Sequence, residues 1–254
     1  MTDSISHNPY AAPASNLQEV RHDLTPVPTI EEALSRGYDF QIGALIEEAW
    51  RLVKGSKGVI VAGFIVFYAV MWVLSFIATL IVSMLGLSGT EFVTMMVSQT
   101  VVGAIATALA YPFLAGVTMV GIRRAAGQPI NANELFSHFS RAGALIGAAL
   151  LITLMTYLGF FLLVIPGIYL SVAYMLAIPL IVERGLSPWE AMEVSRKAVT
   201  QQWFKIFALL LLLALIQIVS LIPLGVGLVW SIPLWVISLG ILYRTIFGVL
   251  PQSN

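Results

Sequence analysis

The chain has no cysteine, which excludes disulfides, cysteine-ligated zinc, iron–sulfur clusters and thiol nucleophiles. It is also short of charge: Asp, Glu, Lys and Arg make up 10% of its 254 residues, against roughly a quarter in ordinary soluble domains. Acidic and basic residues balance at 13 each, so there is no net basic field to attract nucleic acid. Histidine is confined to His7, His22 and His138. No His-Glu-x-x-His occurs, which removes the zinc-protease motif, and the glycines form no strand-to-helix phosphate loop. The first thirty residues lack a basic segment followed by an apolar one, so membrane insertion is expected to be directed by internal spans.

What the chain has instead is apolar length. Hydrophobic residues make up 59% and the mean hydropathy is +0.92. Uncharged runs cover 58–90, 92–122, 142–182 and 206–243, and a membrane span needs about 20 apolar residues. The third run, 41 residues, would measure about 60 Å as one helix, twice the roughly 30 Å of hydrocarbon. It must fold back, and Pro166-Gly167 is the predicted break because proline cannot continue the helix and glycine tolerates positive φ. The fourth run breaks in the same way around Pro223, Gly225 and Gly227. The fold class is thus all-α: a polytopic bundle of about six spans, at 59–85, 94–122, 142–165, 168–182, 206–222 and 228–247. A re-entrant hairpin over 142–182 fits the charge pattern equally.

All thirteen Lys and Arg fall before the first span, between spans 2 and 3, between spans 4 and 5, or at the end of span 6. The positive-inside rule then places both termini and both charged loops in the cytoplasm, as expected for a bacterial inner-membrane protein. Residues 1–28 read as a disordered cytoplasmic tail, 29–57 as amphipathic interfacial helices, 58–247 as the membrane domain and 248–254 as a short tail. Thr29 with Glu32, Asn131 with Glu134, and Ser187 with Glu190 have capping-box spacing. A helix is expected to open at Asp39 and run to Lys54, separated from its predecessor by Gly37. From Ser187, the residues Met192, Ser195, Val199 and Trp203 follow helical spacing, with Glu193 and Lys197 paired on another face. Trp50, Phe136 and Trp203 mark three amphipathic stretches, each followed by a hairpin, a pattern consistent with three similar units.

Candidate chemistry is sparse. No ionisable residue lies within the uncharged runs, so a buried-carboxylate proton path is disfavoured. Gly86-Leu-Ser88-Gly89 is similar to the serine motif of rhomboid proteases, but no span carries a histidine base. The chain is therefore read as non-enzymatic, without cofactor or metal. Pro112, Pro179 and Gln217 are candidates for a kink or solute path, with Pro233 a further interruption. Gly143-x-x-x-Gly147 suggests close helix packing within the bundle or between copies. Arg123, Arg124, Arg196 and Lys197 are candidate contacts for anionic lipid headgroups. The expected partners are membrane lipids, with a protein partner or a second copy as further candidates. The function expected is that of an accessory or scaffold protein, the alternative a transporter or channel for a neutral or lipidic molecule.

The stretch Ile165-Pro-Gly-Ile-Tyr-Leu-Ser-Val-Ala-Tyr174, with Ile178-Pro-Leu-Ile-Val-Glu183, Gly185-Leu-Ser-Pro-Trp-Glu-Ala191 and Ser195-Arg196, resembles a group of uncharacterised bacterial membrane proteins. These are related to the membrane domain carried by some glycerophosphoryl diester phosphodiesterases. The resemblance covers about residues 38–247 and implies fold and location only. The phosphodiesterase chemistry of that family resides in a separate barrel domain that this chain has no residues to encode. A tail beginning Asn8-Pro9-Tyr10 is similar to those of many small inner-membrane proteins.

Overall fold

The computed structural model describes residues 27–85 and 91–252. The predicted tail up to residue 26, with His7, Arg21 and His22, and the Gly86–Gly89 stretch lie outside the described residues. Among the described residues the fold is all-α. Short helices α1 (Ile30–Ser35) and α2 (Ile42–Val53) precede α3 (Lys57–Met84) and α4 (Phe92–Ala125). Two 3-10 turns, Ala132–Phe136 and Phe139–Arg141, lead into α5 (Ala142–Leu162), α6 (Val164–Ala173), α7 (Ala177–Arg184) and α8 (Pro188–Gln201). Helices α9 (Trp203–Leu221) and α10 (Leu228–Phe247) follow.

Among the described residues six segments are long and apolar enough to cross a membrane: Lys57–Met84, Phe92–Ala125, Ala132–Leu162, Val164–Arg184, Trp203–Leu221 and Leu228–Phe247. They alternate in environment. Only 6%, 22% and 17% of the apolar stretch is buried in the first, third and fifth, against 61%, 56% and 61% in the second, fourth and sixth. Each hairpin therefore leads with an outer helix and returns with an inner one. The inner helices are also the less hydropathic member of each pair, as expected where protein rather than lipid surrounds the helix. The outer helices present Trp72, Phe76, Phe161, Leu215 and Ile218 without cover, a lipid-compatible surface that a soluble domain of this size would not leave open.

The inner helices meet through glycine. A Cβ on Gly240 of α10 would sit 2.5 Å from the Gly121 carbonyl oxygen of α4, and one on Gly121 would sit 2.5 Å from Val236 Cγ1. Here backbone lies on backbone, the geometry that small residues permit in membrane bundles. Within the bundle the Gly143-x-x-x-Gly147 contact does not form: nothing lies within 4 Å of a Cβ at Gly143, and only Pro188 Cγ, at 4.0 Å, approaches one at Gly147. Those glycines lie on the outer helix α5, whereas the tight crossing needs two inner helices.

Two breaks fall away from their expected places. The hairpin of 142–182 turns at Leu163, which is extended (φ −161°, ψ 150°), and not at Pro166-Gly167. Pro166 occupies the third position of α6, where a helix has no use for the missing N–H. Gly167 is needed for contact, since a Cβ there would run into the Phe160 ring. The second break interrupts the returning segment at Tyr174–Leu176, and Pro179 sits in the first turn of α7. Pro112 and Pro233 by contrast lie inside the continuous helices α4 and α10. The turn around Pro223, Gly225 and Gly227 forms as expected, with positive φ at Leu224 and Gly225.

Among the short elements, Thr29 and Glu32 form a full capping box, and Gly37 takes φ +65° after α1. Helix α2 starts at Ile42 and not at Asp39, because the Asp39 carboxylate accepts from the Phe40 amide at 2.9 Å and pairs with Lys205. Ser187 caps α8 from one side only, accepting from the Glu190 amide at 3.4 Å. The Asn131–Glu134 box is not made. Asn131 accepts from the Asn133 amide, and Glu134 turns to Arg123 and His138. The connector is therefore a pair of 3-10 turns, and the three units share their outer–inner hairpin more than their amphipathic lead.

The glycine crossing yields a test. Gly240→Ala forces a methyl against backbone and is expected to cost about 1–3 kcal/mol, read as a lower melting temperature in detergent. Gly143→Ala meets nothing and is expected to be neutral or to gain up to about 1 kcal/mol from helix propensity.

Candidate functional site

Helices α4, α7 and α10 finish close together, and the last carbonyls of a helix have no partner of their own. Arginines from other elements supply one. Arg36 donates to the carbonyls of Thr245 and Ile246, at 3.3 and 3.0 Å, and Arg184 donates to that of Phe247, all at the end of α10. Arg244 donates to the Ala125 carbonyl at the end of α4. Arg141 reaches the Ile181 carbonyl of α7 at 2.7 Å, as a second donor beside the Gly185 amide. Arg124 Nε lies 3.0 Å from the Leu52 carbonyl and its terminal nitrogen 2.6 Å from that of Lys54, closing α2. Each guanidinium also faces the negative end of a helix dipole, worth roughly 0.3–1 kcal/mol at an exposed site. Carboxylates complete the lattice. Glu48 takes both Arg244 nitrogens, at 2.9 and 3.1 Å, and Glu183 accepts from Tyr243 and from the Leu250 amide.

The four basic residues proposed from the sequence divide into two pairs. Arg123 Nε lies 3.1 Å from Glu134, and both side chains are largely covered. Arg124 is held by carbonyls as above. These two brace the fold. Arg196 and Lys197 share the half-buried Glu193, at 2.7 and 3.5 Å. They stand on one face of α8 with exposed Trp189, at the three-, four- and seven-residue spacings of a helical stripe. The Arg196 hydrogen bonds hold the Glu193 carboxyl below its usual range, against a smaller opposing effect of burial.

The opposite face of α8 is buried and carries Ser195. Its hydroxyl donates to the Ala173 carbonyl at 2.7 Å and accepts from the Leu176 amide at 3.1 Å. Both groups flank the break between α6 and α7, so a side chain replaces the helical hydrogen bonds lost there. The sequence placed Ser195 in one helical stripe with Met192 and Val199, but its polarity was the signal of this role, and only the position of the break makes it readable.

A cavity of 330 Å³ lies between the three hairpins. Phe64 lines it from α3, Tyr111 and Thr118 from α4, Ile152 from α5, Pro179 from α7 and Trp235 from α10. Phe64 and Trp235 also line a second space of 450 Å³, a crevice between α3, α9 and α10 that contains Gln217. Of the candidate path residues, Pro179 therefore borders the cavity and Gln217 the crevice. Pro112 is buried in α4 and borders neither. Gln217 is also tied to Ser231, accepting from its hydroxyl at 2.5 Å and donating to its carbonyl at 3.2 Å. Tyr111 and Trp235 were not singled out from the sequence, where an aromatic inside a span carries no mark of facing a cavity.

Together the fold and this arrangement define an all-α bundle of membrane type. No family model, curated protein or solved structure matches the chain. Among the described residues no cluster of three His, Asp or Glu side chains could hold a metal ion.

Two outcomes are expected. Ser195→Ala strands a buried carbonyl and a buried amide and should cost about 1–3 kcal/mol for each group left unsatisfied, seen in thermal melts; Ser195→Thr should recover part of the loss. Glu193 has a folded pKa below its unfolded one, so its contribution is complete above the ordinary carboxylate range and lost as pH falls through the folded value. Melting temperature measured against pH should show a small acid-side decline that is weaker in Glu193→Gln.

Proposed function

We propose that the protein is a multi-pass component of a bacterial inner membrane, with both termini cytoplasmic, that works without catalysis as an accessory or scaffold. Its α8 face holds lipid headgroups or a partner at the cytoplasmic surface. The observation that carries this reading is the division of the arginines: most brace helix ends, whereas Arg196 and Lys197 remain at the surface beside Trp189. Arg196 and Lys197 offer two cations at one end of α8, and an indole in the same stripe suits the headgroup layer. Relationship to the membrane domain of glycerophosphoryl diester phosphodiesterases belongs to the same proposal. It is supported by the roles of the motif residues, with Pro166 opening α6, Gly167 packed on Phe160 and Ser195 bridging the break.

Nanodiscs of neutral and anionic lipid provide the test. Basic residues near an anionic surface contribute about 1 kcal/mol each, so anionic lipid should raise the melting temperature of the wild type but not of a variant with Arg196 and Lys197 both replaced by Gln. Equal melting of both proteins in both lipids refutes the lipid contact. Orientation is tested separately with single cysteines in the cysteine-free chain. The thiol of a Ser15→Cys variant should be shielded from an impermeant maleimide in intact cells, and labelling there would overturn the assignment.

A further inference from the structure

We propose that the cavity between the hairpins is a binding site for a neutral lipophile carrying an acceptor oxygen, such as an ester or ketone, admitted sideways through the crevice between α3 and α9. The site goes beyond the surface role of α8 and depends on different residues.

Size and lining set the ligand class. At 330 Å³ the cavity lies within the roughly 300–1,000 Å³ of small-molecule sites. Its walls are mainly aliphatic and aromatic, and no carboxylate, amine, guanidinium or imidazole lines them. An ionic ligand would have to leave water without a counter-charge, at a cost of many kcal/mol. A neutral one faces no such barrier. The polar groups are few and mostly donors. Thr118 and Ser171 donate to their own helices, to the Leu114 and Ile168 carbonyls, both of them internal bonds. The Tyr111 and Tyr174 hydroxyls and the Trp235 indole N–H, all in the lining, have no hydrogen-bond partner among the described residues. Tyrosine and tryptophan in apolar surroundings normally find a partner for that group, and an acceptor oxygen on a ligand would provide it.

The crevice gives the route. It is lined by Phe64, Tyr68, Gln217, Ile218, Leu228 and Trp235, among others, and Tyr68 and Ile218 are open to the surroundings of the bundle. Phe64 and Trp235 belong to both spaces and stand between them. The one amide at the mouth, Gln217, has both of its ends engaged by Ser231, so an apolar ligand passes it without stripping an unpaired polar group.

The experiment uses a variant of the full chain that keeps Trp235 and has Phe at the five other tryptophans. Its fluorescence is titrated in detergent with dibrominated stearic acid methyl ester, the corresponding free acid anion, and dibrominated octadecane. Saturable quenching by the ester is expected, with the anion and the hydrocarbon each weaker, and Tyr111→Phe should weaken the ester alone roughly five-fold, the value of one hydrogen bond. Thermal shifts of the wild-type protein with the same three probes supply a readout that does not depend on the tryptophan-depleted chain folding. Preference for the anion, equal response to ester and hydrocarbon, insensitivity to Tyr111→Phe, or absence of saturation together with absence of thermal shift would each overturn the proposal.

Discussion

Helix ends are the constraint around which this molecule is organised. Three inner helices finish in one region, each with carbonyls that have no following turn to bond, and their dipoles point the same negative ends at one another. Arg36, Arg184 and Arg244 resolve both difficulties and Arg141 adds a second donor to the Ile181 carbonyl, because a guanidinium carries charge and several donors in one rigid group. Each does so from another part of the chain. Thus α1 is fastened to α10, α10 to α4, and the connector before α5 to α7.

Gross architecture was legible because one large energy decides it. Transfer of apolar surface and exclusion of charge from hydrocarbon set where helices can cross, and the six segments lie within a few residues of their expected bounds, save that the third also takes in the connector from Ala132. Helix ends extend past them at Arg123 and Arg124, since a helix can continue beyond the apolar layer. Local punctuation was less legible. Proline and glycine at 166 and 167 read as a turn, yet the turn lies three residues earlier and both residues serve the helix that follows. Asn131 and Glu134 have the spacing of a cap, but His138 four residues on and Arg123, which no local pattern reveals, compete for the carboxylate.

Candidate functional residues were legible in kind and not in role. Surface and structural cations look alike in sequence, and tertiary contacts alone separate Arg196 and Lys197 from Arg123 and Arg124. Likewise Gly143 and Gly147 have the better-known spacing, while the backbone contact is made by Gly121 and Gly240, which are distant in the chain and share no motif. The cavity was out of reach altogether, because it is formed by helices from all three hairpins and its lining residues belong to no common period.

The alternation of outer and inner helices has a consequence for how the chain is made. During synthesis each hairpin delivers first the member that tolerates lipid on nearly every side, and second the member that requires protein neighbours. A ribosome therefore never releases a helix in need of cover before its own outer companion is in place. Helix α10 is the last of the six in chain order, and the partners it packs on, Gly121 of α4 and the arginine Arg36 after α1, both precede it in the chain.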